Sequence, residues 1–211
     1  WRTIIISKGP PMQPAKGSAL ALLLITAAYS AFAAEAPAAN AYKETRFVAN
    51  KAKYKPGFAL EKNFINAWGI SNRPAGAGGH FWVTAKDTSY EYVGDVQASP
   101  DEKLRTLHQD NLKVVKLPVG GKDNFATGTV FSDSKDSFVI TQEIKGAEPI
   151  TAPAKFLFAS DVGIISAWTE RKKEDGTFDR APQALTVIDG SKEGAQFFGL
   201  AISHNYDRLY A

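Results

Sequence analysis

Residues Lys155–Trp168, KFLFASDVGIISAW, carry the pattern on which the rest of the chain is built. Phe156 and Phe158 alternate with Leu157 and Ala159, so one face of an extended run takes aromatic rings and the other takes smaller groups. Asp161-Val162-Gly163 supplies a turn, because Asp can bond its own backbone and Gly accepts positive φ. Ile164–Trp168 then returns as a second apolar, β-branched run. The stretch predicts two short antiparallel strands closed by a tight turn.

Three Gly-centred starts lie outward from it: Asn66-Ala67-Trp68-Gly69-Ile70-Ser71, Ala126-Thr127-Gly128-Thr129-Val130-Phe131 and Phe198-Gly199-Leu200-Ala201-Ile202. Each is followed, 12, 10 and 10 residues after its glycine, by another apolar run beginning at Phe81, Phe138 and Leu209. The glycines are 59 and 71 residues apart. Gly-led strand pairs recurring at tens of residues mark radial β-architectures, and each start is expected to pair with the run that follows it. Leu112–Pro118 reads as an edge strand stopped by Pro118, Leu185–Asp189 as a further strand, and Thr45–Val48 as a first one. Two segments read as excursions. Lys86–Asn111 is a polar insertion carrying Tyr90 and Tyr92, with a helical turn across Pro100–Gln109, and Thr169–Arg180 is a charged, solvated loop. No long helical period follows residue 33, so the class is all-β.

The N-terminal part has the plan of a secretory signal after Met12: Lys16, the apolar run Ala19–Ala28, and the A-x-A site Ala31-Phe32-Ala33. Residues 1–11 then read as upstream translation, 12–33 as the signal, 34–58 as a polar leader and 59–211 as the folded part. The apolar run is about half of a membrane span, so no anchor is expected after cleavage, and the protein is expected in the periplasm or outside the cell. The chain has 25 Lys+Arg against 22 Asp+Glu. Arg2, Lys8 and Lys16 precede the cleavage site with no acidic residue beside them, which leaves 22 of each sign after it. That balance removes the case for a nucleic-acid partner. The absence of cysteine excludes a disulfide scaffold, a thiolate metal site and a Cys nucleophile.

Taken together and in order, N-x-W-G-I with F-W-V, T-G-x-V-F, F-x-F-A-x-x-x-G-x-I-x-x-W, and G-L-A-I with L-Y-A resemble an uncharacterised family of bacterial secreted proteins, β-propellers related to the NHL-repeat type. The resemblance runs from Asn63 to Ala211. It implies about six blades in a complete ring, of which this chain carries starts for roughly three, so an incomplete propeller is expected. Ala126 stands where the family tends to have Pro, Asp161-Val162 where it has an acidic pair, and Ala167 where it has Gly. The family brings no established reaction with it.

Oxygen donors in corresponding turns are the main chemical candidates. Lactonase-like propeller hydrolases hold a divalent cation, such as Ca²⁺, through carboxylate and amide oxygens from several blades, and Asn66, Asn124, Asp161 and Asp189 are placed to do the same. Each also has a plainer role, bonding a nearby backbone N–H in its turn. Trp68, Trp82 and Trp168 could stack on a glycan or pack in the core, and His80 and His204 sit in equivalent turns where a ligand could meet them. No G-x-S-x-G elbow or phosphate loop is present. The first expectation is a non-catalytic binding or scaffold module for a protein or glycan. The alternative is a metal-dependent lactonase-like hydrolase or lyase.

Overall fold

The computed structural model describes residues 46–74, 79–94, 102 and 105–211. The expected signal segment, most of the expected leader and residues 75–78 lie outside the described residues, as does much of the helical turn expected across 100–109. The described chain is all-β, and its only helical pieces are 3-10 turns such as Ala52–Tyr54 and Ser191–Glu193.

A short parallel pair, β1 (Val48–Ala49) and β2 (Ala59–Leu60), opens the described part. Two four-stranded antiparallel sheets follow. In the first, β3 (Ala67–Arg73), β4 (His80–Ala85), β5 (Thr88–Val93) and β6 (Val114–Lys116) pair in chain order. In the second, the spatial order is β7 (Ala126–Phe131), β10 (Phe156–Ser160), β11 (Ile164–Trp168) and β14 (Leu185–Asp189). Two small hairpins are inserted into the second sheet's connections: β8 (Val139–Gln142) with β9 (Ile150–Pro153), and β12 (Glu170–Lys172) with β13 (Phe178–Arg180). A last pair, β15 (Ala201–Ile202) and β16 (Leu209–Tyr210), begins a third unit.

The hairpin at Lys155–Trp168 forms in the expected register, with Phe156 opposite Trp168 and Ala159 opposite Ile165. Its turn places Gly163 at φ 74°, where a side chain would be strained. The second Gly-led start departs from expectation, because β7 pairs with β10 and not with the run after it. The physical reason lies in Phe156 and Phe158. Paired to β7, these rings fill the space between the two sheets, stacked against Trp82 with Phe156 only 4.0 Å away, centroid to centroid. The Ser134 hydroxyl accepts from the Asp136 and Ser137 N–H groups and turns the chain away, so Val139–Gln142 pairs within its own hairpin.

The core is layered. Trp82, Phe131, Phe156, Phe158 and Trp168 pack between the two large sheets, and the Trp168 indole donates to the Ala181 carbonyl at 2.8 Å. Leu157 and Ala167, on the opposite face of the second sheet, meet Leu200, Ile202 and Leu209 of the third unit. Tyr90 and Tyr92 pack on the outer face of the first sheet with Val48 and Phe64. This overturns the expected polar insertion, since Thr88–Val93 is a wholly buried central strand.

The first strands of the three units lie against one another at their glycines. A Cβ on Gly69 would stand 2.9 Å from the Thr129 nitrogen, and one on Gly128 would stand 2.9 Å from the Leu200 nitrogen. Backbone therefore meets backbone at positions where no other residue fits.

Candidate functional site

One polar cleft of about 380 Å³ lies at the end of the second sheet where β7 begins. Three connections converge on it: the loop leading into β7, the β10–β11 turn, and the segment after β14. They bring together Asn124, Asp161 and Asp189, with Ser191 and Gln196 beside them. Three of the four oxygen-donor candidates therefore share one cleft. The fourth, Asn66, does not line it; this exposed residue precedes β3 in the left-handed region, φ 51°.

Both carboxylates in the cleft are already engaged, Asp161 across to the loop before β7 and Asp189 within its own turn. Asp161 Oδ1 accepts the Phe125 N–H at 2.9 Å, while the Asp161 N–H donates to the Phe125 carbonyl at 3.0 Å, so the residue clamps the start of β7. Asp189 Oδ1 accepts from the Ser191 N–H at 3.0 Å and from the Ser191 hydroxyl at 2.5 Å. Those bonds to Ser191, side chain first and backbone second, hold the Asp189 carboxyl below its ordinary value. What remains for a ligand is Oδ2 of each aspartate and the Asn124 amide. That is thin for Ca²⁺, which takes six to eight oxygens. Among the described residues no group of three or more His, Asp or Glu side chains is gathered to hold a metal.

The aromatic and histidine candidates are dispersed. Trp82 is completely buried and stacks on Phe156, so it packs the core and cannot reach a glycan. Trp68 is 53% exposed and leans on Phe198 of the third unit at 6.2 Å. His204 is exposed in the β15–β16 turn. His80 is not in a loop; it opens β4, is buried, and bonds through Nδ1 to the buried carboxylate of Glu91.

That contact begins a charged network which periodicity along the chain did not reveal. Glu91 lies beside Asp110, whose Oδ2 accepts from Arg180 Nη1 at 2.6 Å. Arg180 Nε reaches Glu170 Oε2 at 2.7 Å, and the other oxygen of Glu170 accepts from Arg73 Nη1 at 2.7 Å. The series His80–Glu91–Asp110–Arg180–Glu170–Arg73 thus leaves the first large sheet, crosses to the β12–β13 hairpin and returns to the first sheet at Arg73. Burial, more than the adjacent Asp110 carboxyl, pushes the Glu91 pKa up, while the His80 contact pulls against both. Asp110 moves the other way, to about 2: burial opposes the shift, but hydrogen bonds from Glu91 and Arg180 outweigh it.

The Thr169–Arg180 segment was expected to be solvated, and its two ends are not. Glu170 is 4% exposed along its side chain and Arg180 13%. The sequence signal was present in Asp175-Gly176, a hairpin turn that places Glu170 opposite Arg180.

Compared with protein-family models, curated proteins and solved structures, the chain finds no match.

Proposed function

We propose that the two four-stranded sheets and the β15–β16 pair are successive blades of a β-propeller of the NHL-like kind, and that the protein is an exported binding module. The observation that carries this reading is the contact of β3, β7 and β15 at Gly69, Gly128 and Gly199, each strand leading its own antiparallel unit. Innermost strands of propeller blades approach one another in this way around a central channel. Exposed apolar groups at both flanks support it further. Ile70 is 68% exposed on the first sheet and Ile188 54% on the second, surfaces that neighbouring blades would cover. The 211-residue chain is therefore expected to self-associate or to bind a hydrophobic dye. A cooperative unfolding transition of a dye-free monomer would count against incomplete blades.

The ligand face under this reading is the cleft of Asn124, Asp161, Asp189, Ser191 and Gln196, whose amide, hydroxyl and carboxylate groups suit the hydroxyls of a glycan or the backbone of a peptide. A second reading, a metal-dependent lactonase-like hydrolase, is favoured by the convergence of three oxygen donors there. It ranks below the first because Asp161 and Asp189 each commit one oxygen to a turn. A thermal-shift titration with Ca²⁺ and Mg²⁺ followed by a lactone-hydrolysis screen separates the two. Stabilisation by cation together with turnover selects the enzyme, and neither selects the binding module.

A further inference from the structure

Near the opposite end of β7 a second cleft, of about 440 Å³, lies between the first large sheet and the β12–β13 hairpin, lined by Arg73, His80, Asp110, Lys155, Glu170, Lys172, Phe178 and Arg180. Four basic side chains, two lysines and two arginines, face it against two carboxylates. Those carboxylates are spent: Glu170 divides its oxygens between Arg73 and Arg180, and Asp110 takes Arg180 and the Leu112 N–H. Both guanidinium groups are fixed in place. Arg73 also lies over the Phe131 ring at 5.9 Å, and Arg180 over Phe178 at 4.4 Å.

Lys155 differs from them. Its backbone is held on both sides, donating to the Trp168 carbonyl at 2.8 Å and accepting from the Ser132 N–H at 2.9 Å, so the side chain is directed from a rigid strand start. Its ammonium is half-buried and has no hydrogen-bond or ion-pair partner among the described residues. Arg73 and Lys135 repel it, while Asp133, already paired with Lys135 at 2.9 Å, and Glu170, shared by two arginines, attract it more weakly. Burial first, and Arg73 and Lys135 second, lower the Lys155 pKa. A half-buried ammonium beside an immobilised guanidinium is a repulsive arrangement that an incoming anion would relieve.

We infer that this cleft is an oxyanion site, in which Lys155 and Lys172, with the guanidinium edges of Arg73 and Arg180, receive the carboxylate or phosphate of a small sugar acid or sugar phosphate. Lysine ammonium groups serve such anions as point charges, and a fixed guanidinium adds directed N–H donors. The ring of Phe178 and the side chain of Val93 give the cleft apolar wall for the carbon body of the ligand. This site does not rest on the propeller reading, and its residues are separate from those of the cleft at Asp161.

The test is calorimetric titration of the full chain at constant ionic strength with glucuronate, glucose 6-phosphate and neutral glucose. One or both acids are expected to bind, with dissociation constants of about 1 mM or tighter, and glucose is not. Binding by one acid alone identifies the oxyanion as carboxylate or as phosphate. Lys155→Gln is expected to weaken the acid about tenfold, the loss of one charge-assisted contact, while Lys192→Gln outside the cleft leaves it unchanged. Should Lys155→Gln fail to fold by circular dichroism, Lys172→Gln, an exposed position on the same cleft, must weaken binding in its place. Failure of both acids to bind, equal binding of glucose, or a folded cleft variant with unaltered affinity would overturn the assignment.

Discussion

The two ends of β7 solve the placement of charge in opposite ways. At its start, Asp161 bonds the backbone of the loop before β7 and Asp189 bonds a neighbouring serine, each carboxylate with one small set of partners of its own. Near its end, Arg73, Glu91, Asp110, Glu170 and Arg180 bond one another across the sheets, Arg73 and Glu170 being 97 residues apart. In the first cleft no carboxylate is bonded to another charged side chain among the described residues. The second exists only because the β12–β13 hairpin meets the first large sheet, and its charges are buried deeply enough to depend on each other. Loss of a member should therefore be cheap in the first cleft and costly in the second.

The largest effect is expected from Glu170→Ala, which leaves Arg73 and Arg180 without their shared carboxylate. Breaking a buried pair by removing one partner costs about 3–5 kcal/mol, so the urea midpoint should fall steeply. A loss below ~1 kcal/mol would show that water already screens the network.

Gly163→Ala tests the floor of the first cleft. The new Cβ would lie 2.6 Å from the Ala195 carbonyl oxygen on a backbone with φ 74°. A cost of about 1–3 kcal/mol is expected from overpacking and strain, read from the same denaturation curve. Asp161→Ala should cost less, about 1 kcal/mol for one hydrogen bond to the Phe125 N–H. If it matched Glu170→Ala, the contrast between local and cross-sheet charge would collapse.

Changes with pH are smaller and have opposite signs for two neighbours. Asp110, with its folded pKa lowered, contributes stability that is present above its ordinary value of 3.8 and is lost as pH falls towards about 2. Glu91, with its folded pKa raised by burial, favours the protonated form in the native state. Stability should therefore decline as pH rises from its ordinary value of 4.5 through the raised one. Glu91→Gln should flatten that decline, measured as the unfolding midpoint against pH. An unaltered profile would place the pH dependence elsewhere. Asp189→Asn, at a fully exposed carboxylate, should give the least change of all, a shift in Tm too small to resolve.

Much of the fold was legible in the chain because it is written at short range. Alternation gave β10 and β11, Asp161-Val162-Gly163 gave their turn, and the Gly-led starts gave β3, β7 and β15. The same locality made the first cleft readable, since turn-forming Asn and Asp announce themselves by type and position. The strand Thr88–Val93 was obscured by its own composition. Glu91 and Ser89 point to the core side with Trp82, so polar residues occupy the face where alternation demands apolar ones. Burial there depends on His80 and Asp110 being supplied from other elements.

By itself the sequence determined the all-β class and the hairpin at Lys155–Trp168, because a period of two and a turn residue act within a few residues. Tertiary structure decided that β7 takes β10 as its partner, that Thr88–Val93 is central, and that six titratable side chains tie the first large sheet to the β12–β13 hairpin. Those outcomes compare alternatives far apart in the chain: which aromatic strand fills the space beside Trp82, and which distant counter-ion makes a buried charge tolerable.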